Sequence, residues 1–430
     1  MSTTDYGASF VLTAAYVIAG DELRMLSPGY VRVDDGVITD VGEGAPPLAD
    51  HADCPIIDLP GQLIMPGLIN CHTHIGDTVV KELGYGVPAD VNLLWQPDGL
   101  RHVRMGALGR ETRVAGIRHA LQRALATGTV ALADFREGGV EGVLELREAA
   151  AGLPIRCLAF ARFTTFPLHD DAALEGNSIG LSDAQLAELD AGLDVAEGFS
   201  PLWANDTTDL GLTQIAQRVR SRGKLLATHA GETAQYRELS KARTGLGDVQ
   251  RIAKFLAPDF VVHMTSATDE ELEVAATAGI PVVMCARTQA ALGYGIPPFV
   301  RAARCGATLG LGTDNAMISS PDLLAELEFM SRSLRSKTGD PAAVDATALL
   351  ASVTVDAARI LKLDHELGSL SVGKSATLLV IDMESDNLVG SVNPIASIVD
   401  RASPTDLTMV LVDGKLAHGA LPELLHSPPN

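Results

Sequence analysis

The sequence predicts an α/β protein, a (β/α)8 barrel of the TIM type joined to a small β-sandwich domain built from both termini. Over about 250 central residues, strand-like apolar runs alternate with amphipathic helical stretches, which is typical of such a barrel. Both flanks are instead rich in short strands and poor in helices. A doubly wound open sheet is the competing fold, but no G-x-G-x-x-G follows the first strand of the central region.

The flanks contain alternating segments separated by tight turns. "FVLTAAYVIAG" and the segments after it surround an Asp-Asp-Gly turn, and "LTMVLVDGKLAHG" near the C-terminus contains an Asp-Gly turn. Asp-Gly between alternating runs is a hairpin signal. Neither flank has enough strands to close a core alone. We therefore expect residues 1–62 and 366–430 to form one composite domain and residues 63–365 to form the barrel.

The central region contains eight candidate strands and several helices. The strands are predicted at 63–74, 129–136, 155–162, 193–200, 224–230, 260–264, 280–285 and 307–314. The helical stretches between them include 106–128, 210–223 and 269–279, several of which end in glycine, a C-cap signal. A further helical region at 341–361 leads back to the second flank.

Composition excludes several classes of protein. The chain has 430 residues, 47% of them apolar, with a net charge of −21 and a pI near 4.8. This charge argues against nucleic acid or an anionic membrane as a partner. Five cysteines without a Cys-x-x-Cys pair are typical of a reducing compartment. The apolar run at 10–20 is short and the first basic residue is Arg24, so we expect neither a leader peptide nor a membrane span, and a cytoplasmic enzyme.

The candidate chemistry lies at the C-terminal ends of the predicted strands, where barrels of this type carry their active sites. Four of the eleven histidines and one aspartate occupy these ends. They are His72, His74, His229, His263 and Asp314. A single histidine at such a place is more often a hydrogen-bonded core residue. As a set on four strands, these residues indicate a metal site, since imidazole and carboxylate groups suit Zn²⁺ or Fe²⁺.

Glu232 follows the predicted strand of His229 by three residues. A catalytic metal lowers the pKa of its bound water to about 7, and a nearby group must then carry protons to the leaving group. Glu232 is a candidate for that role. A carboxylate before a helix is also favoured by the helix dipole, and both interpretations can hold.

Motifs over nearly the whole chain resemble the amidohydrolase superfamily. They are "PGLINCHTH" (66–74), "HAGET" (229–233), "HMTSATDEEL" (263–272), "LGTDNAM" (311–317) and "LGSLSVGKSATLLVID" (367–382). The similarity is to the branch that holds cytosine, guanine and adenosine-type deaminases and the triazine hydrolases. It implies that His72, His74, His229 and Asp314 bind one metal, that Glu232 shuttles protons, that His263 holds the attacking water or the tetrahedral oxygen, and that Asp314 also acts as a base.

The resemblance also bears on the number of metals. Binuclear members use a carboxylated lysine on strand four, but this chain has no lysine between Lys81 and Lys224. Glu197, on the predicted fourth strand, is a poor substitute. We therefore expect one divalent metal per chain, zinc or iron(II).

The chain departs from the branch near the substrate. The Pro-x-Ser-Asn type segment after strand seven is replaced by residues 285–299, and Asn315 stands where glycine often follows the metal aspartate. Candidate substrate residues are Trp95 and Gln96, which could cover a planar ring, and Arg136, Arg162 and Arg287, which could read a carboxylate, phosphate or polarised carbonyl. Each arginine could instead form a structural ion pair.

The resemblance implies hydrolytic deamination of a cyclic amidine such as a nucleobase, nucleoside or related heterocycle, with metal-activated water as the nucleophile. The alternatives are a cyclic amide hydrolase or cyclase of the lactam or imidazolone type, dechlorination by the same site, and a non-catalytic binding module. The expected partners are a small heterocyclic substrate and water, and we expect a homodimer or higher homo-oligomer.

Overall fold

The computed structural model describes residues 9–47, 54–87 and 99–420. Its strands are β1 (Ser9–Ala19), β2 (Arg24–Leu26), β3 (Gly29–Asp34), β4 (Val37–Glu43), β5 (Ile56–Pro66), β6 (Leu68–His74), β7 (Thr129–Arg136), β8 (Arg156–Ala161), β9 (Gly198–Phe199), β10 (Leu225–Ala230), β11 (Phe260–His263), β12 (Val282–Met284), β13 (Leu309–Leu311), β14 (Asp314–Asn315), β15 (Leu378–Asp382), β16 (Leu407–Val412) and β17 (Lys415–Gly419).

The α-helices are Leu100–Gly106, Arg110–Ala126, Gly139–Ala150, Asp171–Gly176, Asp183–Val195, Asp209–Ser221, Ala234–Thr244, Asp248–Arg251, Asp269–Thr277, Ala286–Ala291, Phe299–Arg304, Leu323–Thr338, Ala346–Ala351, Val355–Ile360 and Pro394–Asp400. Short 3-10 segments lie at Ile75–Val80 and Ala204–Asp206, and a π-helical turn lies at Ile252–Leu256. Within these ranges no helix is both long and apolar enough to cross a membrane.

Nine parallel strands form the barrel. Their order is β13-β12-β11-β10-β9-β8-β7-β6-β14, and β14 pairs with β6 so that Asp314 lies opposite Thr73. Because β13 and β14 are consecutive in the chain, separated by residues 312–313, this pairing closes the ring. The two short strands together form the eighth strand of the barrel, and the predicted fold class is confirmed.

The barrel core follows the alternation of side chains along each strand. On β7, Val130 and Leu132 pack outward in the cluster shared with the surrounding helices. Ala131 and Phe135 point inward with residues of five further strands and of the helix Val355–Ile360. That helix therefore fills the lower interior and leaves the other end of the barrel for the site.

The flanks pair into one mixed sheet of eight strands, in which β5 lies between β1 and β15. Leu12, Val33, Ile57 and Leu378 belong to one apolar cluster, although they come from four strands, so one face of the sheet curves around its own core. The other face, including Leu379, packs on the barrel cluster. The division at residues 62 and 365 stays a prediction.

Three strand predictions needed correction. The predicted strand at 63–74 is divided, because residues 63–66 end β5 in the mixed sheet and the barrel strand β6 begins at Leu68. Residues 193–195 end the helix Asp183–Val195 instead of beginning a strand, because Ser182 and Gln185 form a capping box that starts a helix of 13 residues. Only Gly198–Phe199 remain as strand. The predicted strand at 307–314 is interrupted at residues 312–313, and the interruption lies beside the candidate site.

Candidate functional site

Four histidines and one aspartate meet at the mouth of the barrel. His72 and His74 end β6, His229 lies on β10, His263 ends β11 and Asp314 begins β14. Ligand atoms of His72, His74 and His229 lie within 4.8 Å of one another, and so do those of His72, His263 and Asp314. The structure thus brings together all five residues that the strand ends indicated.

Backbone geometry at the strand ends aims these side chains into the mouth. His72 and His74 are two residues apart on one strand and therefore point to the same side. His263 and Asp314 have φ angles of 83° and 59°, which are uncommon for residues other than glycine and cluster at functional sites. A Cβ at Gly312 would lie 2.7 Å from the carbonyl oxygen of His72, so only glycine lets the eighth strand pass this close.

The protonation states suit a cation. Burial lowers the pKa of His72 to about 3, and burial with the neighbouring histidines lowers the pKa of His229 well below its usual value. Burial would raise the pKa of Asp314, but the hydrogen bond with His72 and the surrounding imidazoles hold that pKa well below its usual value. At neutral pH His72 and His229 are therefore neutral and Asp314 is ionised, which are the forms that coordinate metals.

The carboxylate of Asp314 is buried, and its ion-pair contacts among the described residues are with histidines alone, His72 Nε2 at 3.2 Å and His74 Nε2 at 3.7 Å. The Nδ1 atoms of His72 and His263 are buried and lack a hydrogen-bond partner within the same residues. A buried carboxylate normally requires a partner cation. A divalent metal would supply it, so the residues present fit such an ion.

In two candidate ligands, His229 and His74, the Nδ1 atom contacts oxygen atoms of the protein. His229 Nδ1 lies 3.0 Å from the carbonyl oxygen of Leu202, and His74 Nδ1 lies 3.0 Å from both the Phe135 carbonyl oxygen and Glu137 Oε1. Such contacts fix the tautomer and leave Nε2 free to coordinate. Burial opposes ionisation of Glu137, but Arg101 and His74 hold its pKa well below the usual range.

Glu232 lies on the wall of the same pocket and is held by two donors. Trp203 Nε1 donates to Oε2 at 3.2 Å, and Gln289 Nε2 donates to Oε1 at 3.3 Å. His263 Nε2 lies 3.8 Å from Oε1. The carboxylate is thus held in a fixed position in the pocket, as a general acid–base group must be.

Trp203 and Gln289 were missed by sequence reasoning. They lie 29 and 57 residues from Glu232 in the chain, and no spacing connects them to it. Trp203 follows the shortened fourth strand and pairs with His229 as an isolated bridge, so a correct strand boundary would have placed it at the mouth.

The pocket above the cluster includes Arg162 and His102 in its lining. Arg162 is 4% exposed, and its nearest carboxylate oxygen, Glu137 Oε1, is 3.6 Å from Nη1. Burial lowers the pKa of Arg162 to about 10, so the guanidinium stays charged at neutral pH. Whether Arg162 contacts a substrate stays a prediction.

Two other candidate arginines, Arg136 and Arg287, bind protein groups and do not line this pocket. Arg136 binds Asp134 at 3.3 Å and the carbonyl oxygen of Gly142 at 3.1 Å. Arg287 Nη1 donates to the carbonyl oxygens of Ser320 and Asp322, each at 3.2 Å. The predicted ring-covering residues Trp95 and Gln96 lie outside the described residues.

Comparisons with known proteins agree with this geometry. The model of the Amidohydrolase family matches residues 63–417. A relative from Methanothermobacter thermautotrophicus, named only as an aminohydrolase, is 28% identical over 93% of this chain and 97% of its own. The 5-methylthioadenosine/S-adenosylhomocysteine deaminase of Teredinibacter turnerae is 30% identical over 82% of this chain and 79% of its own. The crystal structure of an adenosine deaminase from Xanthomonas campestris with bound zinc has a TM-score of 0.82 at 23% identity, covering 97% and 94% of the two chains.

Proposed function

Because the chain belongs to the amidohydrolase family, and is thus a metal-dependent hydrolase of carbon–nitrogen bonds, we propose that it deaminates a cyclic amidine on a nucleobase, nucleoside or related heterocycle. The observation that carries the proposal is the position of Glu232, fixed by Trp203 and Gln289 beside a cluster of histidines and Asp314. The related deaminase that acts on 5-methylthioadenosine and S-adenosylhomocysteine supports the same reaction class.

In the proposed site His72, His74, His229 and Asp314 hold one divalent ion, zinc in our proposal. When bound, the ion supplies a Lewis acid that makes water nucleophilic near neutral pH.

The chain's own residues then direct the protons. Asp314 and Glu232 each accept one proton from the attacking water. Glu232 delivers one proton to the departing amino nitrogen, and the other passes to the ring nitrogen of the amidine, so both carboxylates are restored. His263 donates a hydrogen bond to the oxygen that joins the ring carbon. A C–O bond forms, the C–N bond breaks, and ammonia and a ring carbonyl are the products.

Arg162 is the proposed contact for a polar group on the substrate away from the amidine. It lines the same pocket as the ligand cluster, its guanidinium is 4% exposed, and its carboxylate contact among the described residues is Glu137 Oε1 at 3.6 Å. A buried guanidinium whose donors are only partly occupied by described residues favours a carboxylate or a polarised carbonyl.

The test is a substrate panel on protein loaded with zinc or with iron(II). The panel contains 5′-methylthioadenosine, S-adenosylhomocysteine, adenosine, guanine and cytosine, together with cyclic amides such as hydantoins. Released ammonia and the product mass are measured, and Glu232→Gln is the matched inactive control.

Each outcome points to one function. Ammonia release from an aminated heterocycle, lost in Glu232→Gln, supports the deaminase. Ring opening of a cyclic amide without ammonia release supports the alternative hydrolase. Bound metal without turnover of either class would mean that the barrel is a binding module and that the proposal is wrong.

A further inference from the structure

The second nitrogen of His74 has a partner that the metal assignment does not explain. Glu137 Oε1 lies 3.0 Å from His74 Nδ1, and Glu137 immediately follows β7, the strand next to that of His74. The contact is buried, with side-chain exposures of 6% for His74 and 9% for Glu137. The other ring nitrogen, Nε2, points towards the candidate metal cluster and lies 3.7 Å from Asp314 Oδ1.

Glu137 is itself held in place. Arg101 Nη2 donates to the same Oε1 atom, and Arg101 Nε donates to Asp77 Oδ2 at 3.1 Å. Asp77 Oδ2 also accepts from Asn315 Nδ2 at 2.7 Å. A buried chain of charged and amide groups therefore connects His74, on the first barrel strand, with Asn315, the residue after Asp314 on the eighth.

This chain of contacts also accounts for Asn315. The residue lies where the family often has glycine, which has no side chain to donate. The amide of Asn315 donates a hydrogen bond to the buried carboxylate of Asp77. The carboxylate of Asp77 receives a second hydrogen bond, from the backbone N–H of Met317 at 2.9 Å, so the loop after Asp314 is tied to the same chain.

We propose that Glu137 is a positioning residue for the metal: its carboxylate keeps the Nδ1 proton of His74 in place, presents Nε2 to the ion and strengthens metal binding. A carboxylate behind a ligating imidazole also makes that ligand more basic. The inference rests on the proposed metal site, since it concerns how tightly that site holds its ion.

The competing explanation is that the backbone orients His74 without Glu137. The carbonyl oxygen of Phe135 lies at the same distance, 3.0 Å, from His74 Nδ1. A carbonyl can fix the ring but carries no full charge. The two explanations therefore differ in what removal of the Glu137 charge does to metal affinity.

The experiment compares wild type, Glu137→Ala, Glu137→Gln and the control Glu145→Gln. Glu145 is also a buried carboxylate, 4% exposed and paired with Arg113 at 2.5 Å, but it lies in the helix Gly139–Ala150 and contacts no candidate ligand. The affinity for Zn²⁺ is measured by chelator competition, and the visible absorption of the Co²⁺-substituted protein reports ligand geometry. Circular dichroism of the metal-free proteins checks folding.

We expect Glu137→Ala to weaken Zn²⁺ binding by about 10–100-fold, the usual effect of losing such a partner. Glu137→Gln, which keeps an acceptor but not the charge, should weaken it less, and both variants should alter the Co²⁺ spectrum. Glu145→Gln should match wild type. If Glu137→Ala does not fold, the isosteric Glu137→Gln variant decides.

Equal affinity and an equal Co²⁺ spectrum in wild type and the folded Glu137 variants would overturn the inference and assign the orientation of His74 to Phe135. The same loss in Glu145→Gln would also overturn it, since the effect would then be general to buried carboxylates in this region. Wild-type protein that binds neither Zn²⁺ nor Co²⁺ would instead refute the proposed metal site, so the two failures are distinct.

Discussion

Replacing Glu232 by glutamine separates proton transfer from metal binding. The substitution keeps the size of the side chain but removes a group that can accept and then donate a proton. In the structure Glu232 accepts from Trp203 at 3.2 Å and from Gln289 at 3.3 Å. A glutamine has one acceptor oxygen, so it keeps the bond from Trp203 and turns its amide towards Gln289.

The structural cost of this change is small. Gln289 Oε1 is buried and without a partner among the described residues, so a flip of the Gln289 amide offers an acceptor to the new amide. At worst one hydrogen bond is lost, about 1 kcal/mol. The catalytic cost is larger, because a general acid–base group contributes about 10²–10⁴ in rate, or about 3–5 kcal/mol of barrier.

The assay measures turnover, metal content by elemental analysis and unfolding in urea for the same preparations. We expect turnover to fall by at least about 10²-fold, while metal content and stability stay near wild type. Loss of the metal would make Glu232 a ligand and show that our ligand set is wrong. Near-normal turnover would mean that another group carries the proton, and the proposed mechanism would lose its main support.

Four further predictions concern the metal, the composite sheet and a buried acid. Asp314→Asn should lower both metal retention and turnover, measured by elemental analysis and ammonia release; retention at the wild-type level would remove Asp314 from the ligands. Protein purified without added metal should contain about one ion per chain, and two tightly held ions would refute the single site. Deleting residues 1–55 removes β1 to β4, so the apolar cluster of the mixed sheet loses its cover and the protein should aggregate; a soluble, active truncation would contradict this. Burial raises the pKa of Glu326 from 4.5 to about 7 despite the nearby Arg287. Because this pKa is raised in the folded state, Glu326 does not reduce the free energy of unfolding below pH 4.5. Its ionisation lowers that free energy by about 3 kcal/mol as pH rises from 4.5 through 7. Urea unfolding at pH 5 and pH 9 measures this fall, and Glu326→Gln should remove most of it. An unchanged difference in the free energy of unfolding between the two pH values would mean that Glu326 is not its source.

Periodicity along the chain was sufficient for the barrel and for the pairing of the two flanks. Apolar and small residues at alternate positions of β7 define an inward and an outward face, and the same alternation marks β5 and β15. Such an alternation involves residues close together in the chain, so it can be recognised in a single sequence. The boundaries near Val195 and Gly312 were missed, because the helix Asp183–Val195 continues into the predicted fourth strand and a close approach to His72 interrupts the eighth.

The sequence by itself determined which residues compose the candidate metal cluster, because a parallel barrel places the ends of all its strands at one mouth. His72, His74, His229, His263 and Asp314 could be named from strand ends alone. Only the tertiary structure decided what surrounds them. Trp203 and Gln289 reach Glu232, and Glu137 reaches His74, across neighbouring strands and loops whose separation in the chain has no fixed period. The arginines show the same limit: Arg162 faces the pocket while Arg136 and Arg287 bind protein groups, since the partner of a long flexible side chain depends on packing and not on its position in the sequence.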